Sequence, residues 1–310
     1  MKNLFLSLLS IVFCLSCVGQ ISENASVTKD IQNYSFDEVG LINNIKTLSS
    51  DAFEGRRTGT VGGIKAKEYV IEQFKALDVM PIDDDYIQTF SFKTKIKAYE
   101  GTNVLGLIKG QKATDKYIVI SAHYDHEGVK DGIIYNGADD DASGTSALFA
   151  FAEYLKENPP NHNVILAAFD AEELGLKGAY HFVESNLIPK DKMVLNLNMD
   201  MISRSEDNQL FAVGPSLYPK IKPTIVNFQD FGRVDLLIGH EGLDKAQNWT
   251  NSSDHAAFHK ANIPFIYFGV ADHEDYHKPT DDFENIDPEF YKDAVQTVIN
   301  VFKELDALDL

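Results

Sequence analysis

From Phe36 onward the chain alternates between two hydrophobic periods. Ala66, Val70, Phe74 and Leu77 recur at helical spacing after Gly62-Gly63, and Leu148, Phe151, Ala152 and Leu155 mark one face of a second helix that Pro159-Pro160 stops. Tyr117–Ala122 is a short β-branched run and reads as a buried strand; Val164–Phe169, Met193–Met199 and Ile263–Phe268 read the same way. A last helix is predicted with Asp287 as N-cap and Pro288 in its first turn, burying Phe290, Ala294, Val298, Val301 and Leu305. Strands alternating with helices at this spacing imply an α/β fold, a mostly parallel mixed central sheet with helices on both faces. No Pro/Gly/Ser-rich linker divides residues 36–310, so they are expected to form one domain.

Ahead of that region the pattern changes. Lys2 precedes an apolar run from Leu4 to Phe13, followed by small and sulfur residues to Gly19. A basic start, a brief apolar core and a small-residue end describe a secretory signal over residues 1–19, and about 20 apolar residues would be needed to span a bilayer. Two cleavage readings compete: before Cys17, which would lipidate that thiol, or after Gly19. Residues 20–35 are polar and aperiodic and read as a tether. Cys14 and Cys17, the two cysteines of the chain, both fall in the signal. The exported domain is therefore expected to lack a disulfide, a thiolate metal site and a Cys nucleophile. It would be periplasmic, extracellular or a lipoprotein on the outer surface, touching a membrane only through a lipid at Cys17.

A hydrophobic share of 44% is that of a globular protein, and a formal charge of −19 argues against nucleic acid or an anionic membrane as partner. The residues directly after each predicted strand are more informative. His123 and Asp125 come after the first, Asp170, Glu172 and Glu173 after the second, and Asp200 after the third; a loop with His273, Asp275, Tyr276 and His277 succeeds the fourth. Open α/β sheets bind ligands beyond the carboxyl ends of their strands. A further group, Asp139-Asp140-Asp141, stands just before the helix that begins near Ser143-Gly144. So many carboxylates converging on one pocket would repel one another, and a divalent cation relieves that. His with carboxylate is a zinc ligand set, although manganese or cobalt could occupy such a site. Taken singly, these motifs have plainer readings: Asp139–Asp141 as a solvated turn, Glu172-Glu173 as an exposed helix start. Their occurrence together, each at a strand end, favours the metal. His126, His162, His181, His240 and His259 have no comparable setting and read as surface or core residues.

The residues also carry a resemblance. His123-Tyr124-Asp125, Gly137–Gly144, Ala171–Gly175, Asn198-Met199-Asp200, Ser253-Asp254-His255 and Tyr276-His277 resemble the motifs of the secreted zinc aminopeptidases of peptidase family M28. Phe53–Thr60 and Gly101–Val104 resemble that family's upstream regions. The resemblance implies a zinc-exopeptidase fold, a peptide substrate with a free N-terminus, and two zinc ions bridged by Asp140. His123 and Asp200 would complete one site, Glu173 and His277 the other. Glu172 would be the general base toward a metal-bridging water, Asp125 would hold the His123 imidazole, and Tyr276 would stabilise the oxyanion. A cis peptide is implied at Asp140–Asp141. Asp254 either supports the site from behind or simply packs, and Trp249 either borders the pocket or caps a loop. Two other readings stay open: a one-zinc glutaminyl cyclase of the same fold, and an inactive binding domain. The resemblance also leaves room for carboxypeptidase or dipeptidase action.

Overall fold

The computed structural model describes residues 33–243 and 247–310, so the signal and most of the tether lie outside the described residues. Its strands are β1 (Met80–Pro81), β2 (Ile87–Lys93), β3 (Ala98–Ile108), β4 (Tyr117–His123), β5 (Gly128–Lys130), β6 (Ile133–Tyr135), β7 (Asn163–Phe169), β8 (Met193–Met199), β9 (Gln209–Val213), β10 (Asp235–Ile238) and β11 (Phe265–Gly269). The helices are α1 (Glu38–Leu48), α2 (Val61–Ala76), α3 (Gly144–Glu157), α4 (Lys177–Ser185), α5 (Lys222–Val226), α6 (His255–Lys260) and α7 (Pro288–Asp306). The main sheet runs β1-β3-β7-β4-β8-β11-β9-β10, with β2 added to β3; β5 and β6 form a separate hairpin.

Parallel pairing is concentrated at the centre, where β7, β4, β8 and β11 lie side by side in one direction. β3 and β9 flank this core antiparallel to it, and β10 then runs parallel to β9. The predicted strands are those four central ones, which are buried on both faces and therefore read as continuous apolar runs. The fourth begins at Phe265, two residues later than expected.

Side chains alternate across the sheet. Ile118 and Ile120 of β4 pack into one cluster with residues of α1, α2, α3 and α7, whereas Val119 faces a second cluster with Phe182 of α4 and Phe258 of α6. Helices therefore cover both faces, and each fully buried aliphatic or aromatic side chain contributes roughly 1.5–3 kcal/mol. The α7 prediction holds in detail: Asp287 accepts from the amides of Glu289 and Phe290, and the five predicted core positions are fully buried. The packed region begins at Tyr34, earlier than residue 36. The Tyr34 hydroxyl donates to Asp293 at 2.7 Å, and the Ser35 amide donates to Gln296 at 2.7 Å.

Candidate metal centre

The central strands end at one edge, and the residues at or beyond their ends aim polar side chains into a common cleft. β4 ends on His123 itself. After β7, Gly175 and Leu176 donate their amides to the Glu172 carbonyl, closing a turn that carries Glu172 and Glu173. Asp200 follows β8, and the loop after β11 returns to place Tyr276 and His277 in the cleft. Ala171, Met201 and His277 hold φ of 61°, 60° and 55°. Such left-handed backbone costs non-glycine residues about 1–3 kcal/mol and clusters at functional sites.

Asp139, Asp140 and Asp141 are all buried, so the plain reading of a solvated turn fails. They occupy an irregular turn, Ala138–Ser143, ahead of α3, and the Asp140–Asp141 peptide is cis, as the resemblance implies. Asp139 accepts from the Ser203 amide and hydroxyl at 2.7 Å and faces His273 Nε2 at 2.9 Å. The Asp141 carboxylate accepts from the main-chain amides of His123 at 3.1 Å and Gly144 at 2.8 Å. Asp140 is the one directed between the histidines. Its own amide and that of Asp139 donate to the Asp281 carboxylate, which holds the turn from below.

The Asp140 carboxylate divides the centre in two. Its Oδ1 lies 3.2 Å from His123 Nε2, which is 3.5 Å from Asp200 Oδ1. Its Oδ2 lies 3.1 Å from His277 Nε2, which is 3.4 Å from Glu173 Oε2. Zinc bonds of about 2.0–2.1 Å in a tetrahedron give ligand–ligand edges of about 3.3–3.4 Å. The four separations match those edges, so the residues fit a divalent ion on each side of Asp140. His123 Nδ1 is engaged by the Asp125 carbonyl at 3.0 Å, which leaves Nε2 facing the centre. Asp141 also approaches His123 and Asp200, but its amide bonds commit it to the backbone.

The electrostatics show a demand for positive charge. Burial pulls the His277 imidazole down, yet its contacts with Asp140 and Glu173 outweigh this and hold it at about 11. Burial and the Asp140 charge push Glu173 up, but His126 and His277 more than offset them, leaving it at about 2. Glu172 behaves differently. Burial raises it well above the ordinary carboxylate range, and Asp254, Asp200 and Glu173 add to this against the pull of His123. Asp254 itself is pushed up by burial to about 7. The Tyr276 phenol is raised by burial, then by Asp140 and Asp200, and its ring stacks on His277 at 3.9 Å.

Two expectations change here, and one residue without an assigned role joins the site. Asp125 engages His123 through its main-chain carbonyl; its carboxylate Oδ1 is 3.7 Å from Nδ1 and instead accepts from the Glu172 amide at 3.0 Å. The carboxylate thus positions the turn that carries the two glutamates. His126, read as a surface or core residue, is fully buried beside Asp140 and Glu173. Its sequence signal lies in His123-Tyr124-Asp125-His126, a second imidazole on the same strand exit. Arg56 has no assigned role in the sequence reading, although it lies inside the Phe53–Thr60 motif. Fully buried, it donates to the carbonyls of Tyr124 at 2.9 Å, Leu48 at 2.9 Å and Gly137 at 2.8 Å, and also to that of Asn136. Thr58 donates to Asp170 at 2.8 Å, continuing the same underside support.

The cleft over this cluster has a volume of about 420 Å³, within the range of small-molecule sites. Trp249 borders it, with Leu176, Met201, Val270 and Asp272. Among the described residues, no helix is long and apolar enough to cross a membrane.

Comparison with known proteins agrees with this architecture. The model of peptidase family M28 matches residues 103–302. Aminopeptidase YwaD of Bacillus subtilis is 31% identical over 214 residues, 64% of this chain and 44% of that protein, so the chain spans less than half the length of this relative. The structure of BSAP, a zinc aminopeptidase from Bacillus subtilis, aligns at TM-score 0.70 and 17% identity over 88% of this chain and 96% of that one. Porphyromonas gingivalis glutaminyl cyclase aligns at TM-score 0.72 and 17% identity over 88% of this chain and 100% of that one. Identities this low establish the shared fold alone. The family match is another matter, since it runs from Asn103 in β3 to Phe302 in α7 and takes in every central parallel strand: the chain belongs to peptidase family M28.

Proposed function

We propose that this chain is an exported di-zinc metallo-aminopeptidase that hydrolyses N-terminal residues from peptides. One observation carries the reading: the Asp140 carboxylate offers one oxygen to a His123–Asp200 pair and the other to a Glu173–His277 pair. His123, Asp140 and Asp200 would hold one ion, and Asp140, Glu173 and His277 the other. When bound, such a pair polarises the scissile carbonyl and makes water a nucleophile near neutral pH. Glu172 lines the same cleft and, with its proton affinity raised by burial, takes the proton from the attacking water and passes it to the leaving amine. The Tyr276 phenol, held protonated, donates toward the oxyanion.

The cleft walls carry Glu172, Asp200 and Asp272, an acidic surround that favours the ammonium of a free N-terminus. Residues 1–19, with a lipid at Cys17 in one of the two cleavage readings, support export. The test is a panel of aminoacyl-arylamides with free and blocked termini. Free substrates should be cleaved much faster; equal rates would refute the aminopeptidase reading. Cyclisation of an N-terminal Gln with one zinc per chain would put the cyclase reading first.

A further inference from the structure

We propose that His126 is a sixth protein ligand of this centre, a third imidazole that completes the Asp140–Glu173–His277 side. The inference rests on the paired-ion reading and extends it to a residue outside the expected ligand set.

The geometry is specific. His126 is fully buried, with Nδ1 2.8 Å from Glu173 Oε1 and 3.7 Å from Asp140 Oδ2. The short approach to Glu173 lacks the direction of a hydrogen bond: His126 Nδ1 and Nε2 and Glu173 Oε1 are all buried without a hydrogen-bond partner. Buried polar atoms are almost always paired, so unpaired atoms facing each other call for an explanation. A cation is the partner that can take an imidazole nitrogen and a carboxylate oxygen together. The same three residues, His126, Asp140 and Glu173, bring their ligand atoms within 4.8 Å of one another.

The ring is also built into place. Gly137 has φ of 58°, and a Cβ there would meet His126 Cδ2 at 2.5 Å and the Asp140 carbonyl at 2.1 Å. A side chain at 137 could not coexist with this ring position. The nearby Glu127 is committed elsewhere, paired with Arg57 at 3.1 Å and Lys130 at 2.8 Å.

The consequence is an asymmetric centre. One side has three protein ligands, His123, Asp140 and Asp200; the other has four, Asp140, Glu173, His277 and His126. Four protein ligands are the mark of a firmly held zinc, whereas catalytic sites keep a position open. The ion beside Glu173 is therefore the one retained longest against a chelator, and the ion beside Asp200 the one lost first.

The test combines zinc counting during graded chelation of wild type and His126→Gln with zinc-edge X-ray absorption of the wild type. Circular dichroism checks that the variant folds. Wild type should release its two ions in separate stages, and the variant should lose the late stage, its tighter ion weakened by about 10–100-fold or more. The absorption spectrum should report three imidazole nitrogens shared between two ions. Unchanged affinity of both ions in a folded variant overturns the proposal, and so does a wild-type spectrum with only two imidazoles, which remains decisive if the variant does not fold. A wild type that binds fewer than two ions instead brings down the paired-ion reading itself.

Discussion

Replacing Arg56 with Met removes the hub beneath the metal centre. The guanidinium reaches the carbonyls of Leu48, Tyr124, Asn136 and Gly137. The Gly137 carbonyl also accepts from the Ala142 amide at 3.3 Å, so three carbonyls lose a donor they depend on. An unsatisfied buried acceptor costs about 1–3 kcal/mol, which gives roughly 3–9 kcal/mol for the set. An opposing effect needs weighing, because exchanging buried charge for apolar volume is sometimes neutral or stabilising. Here burial does pull the guanidinium pKa down, but Asp140, Asp281, Asp141 and Asp125 all counter it. Removing the cation would leave those buried carboxylates facing one another, so the destabilising effect wins. At roughly 2–4 °C per kcal/mol for a domain approaching this size, the loss is a fall in melting temperature of at least about 6 °C. Thermal unfolding of Arg56→Met and Arg56→Lys measures it, and Lys, with three donors and no fork, should fall between wild type and Met. A Met variant melting within about 2 °C of wild type would refute this reasoning.

Two further outcomes rest on the same physics. Glu172→Gln should keep its zinc and lose about 10²–10⁴-fold in kcat, as expected when a proton-transfer group is removed; a folded, metal-loaded variant with full turnover would remove Glu172 from the reaction. His255 is fully buried, with Nε2 2.8 Å from the Trp249 carbonyl, and burial pushes its pKa from the ordinary 6.5 to about 3. The unfolded chain therefore takes up that proton first as pH falls. Stability is retained above pH 6.5 and lost at about 1.4 kcal/mol per unit between there and pH 3. Denaturant melts at pH 7 and 5 should show about 2 kcal/mol of the wild type's margin over His255→Gln disappearing; parallel losses in the two proteins would contradict the assignment.

How much of the fold and the site was legible in the sequence depends on how each feature is encoded. The four central strands declared themselves because burial on both faces leaves uninterrupted apolar runs, and their ends marked the site because three of them have His or carboxylate residues at or just past the end and the loop after the fourth carries Tyr276 and His277. The outer strands went unread for the converse reason: β2 alternates exposed and covered positions, and β10 is four residues long. Arg56 and His126 were hidden by long-range encoding. The partners of Arg56 come from α1, the β4 exit and the turn before α3, and one cation in a sequence gives no sign of such convergence. His126 looked like any loop histidine until the fold turned its ring onto Glu173. Asp125 shows what a motif leaves open: it names the residue expected to hold the His123 imidazole but not the atom, and here the main-chain carbonyl, not the carboxylate, lies 3.0 Å from Nδ1.

The most direct measurement is a crystal structure with anomalous scattering collected on either side of the zinc edge. Two zinc peaks about 3.5–4 Å apart should straddle the Asp140 carboxylate, one against His123 and Asp200 and the other against Glu173 and His277. A single peak, or peaks away from Asp140, would contradict the paired-ion centre on which the proposed chemistry stands.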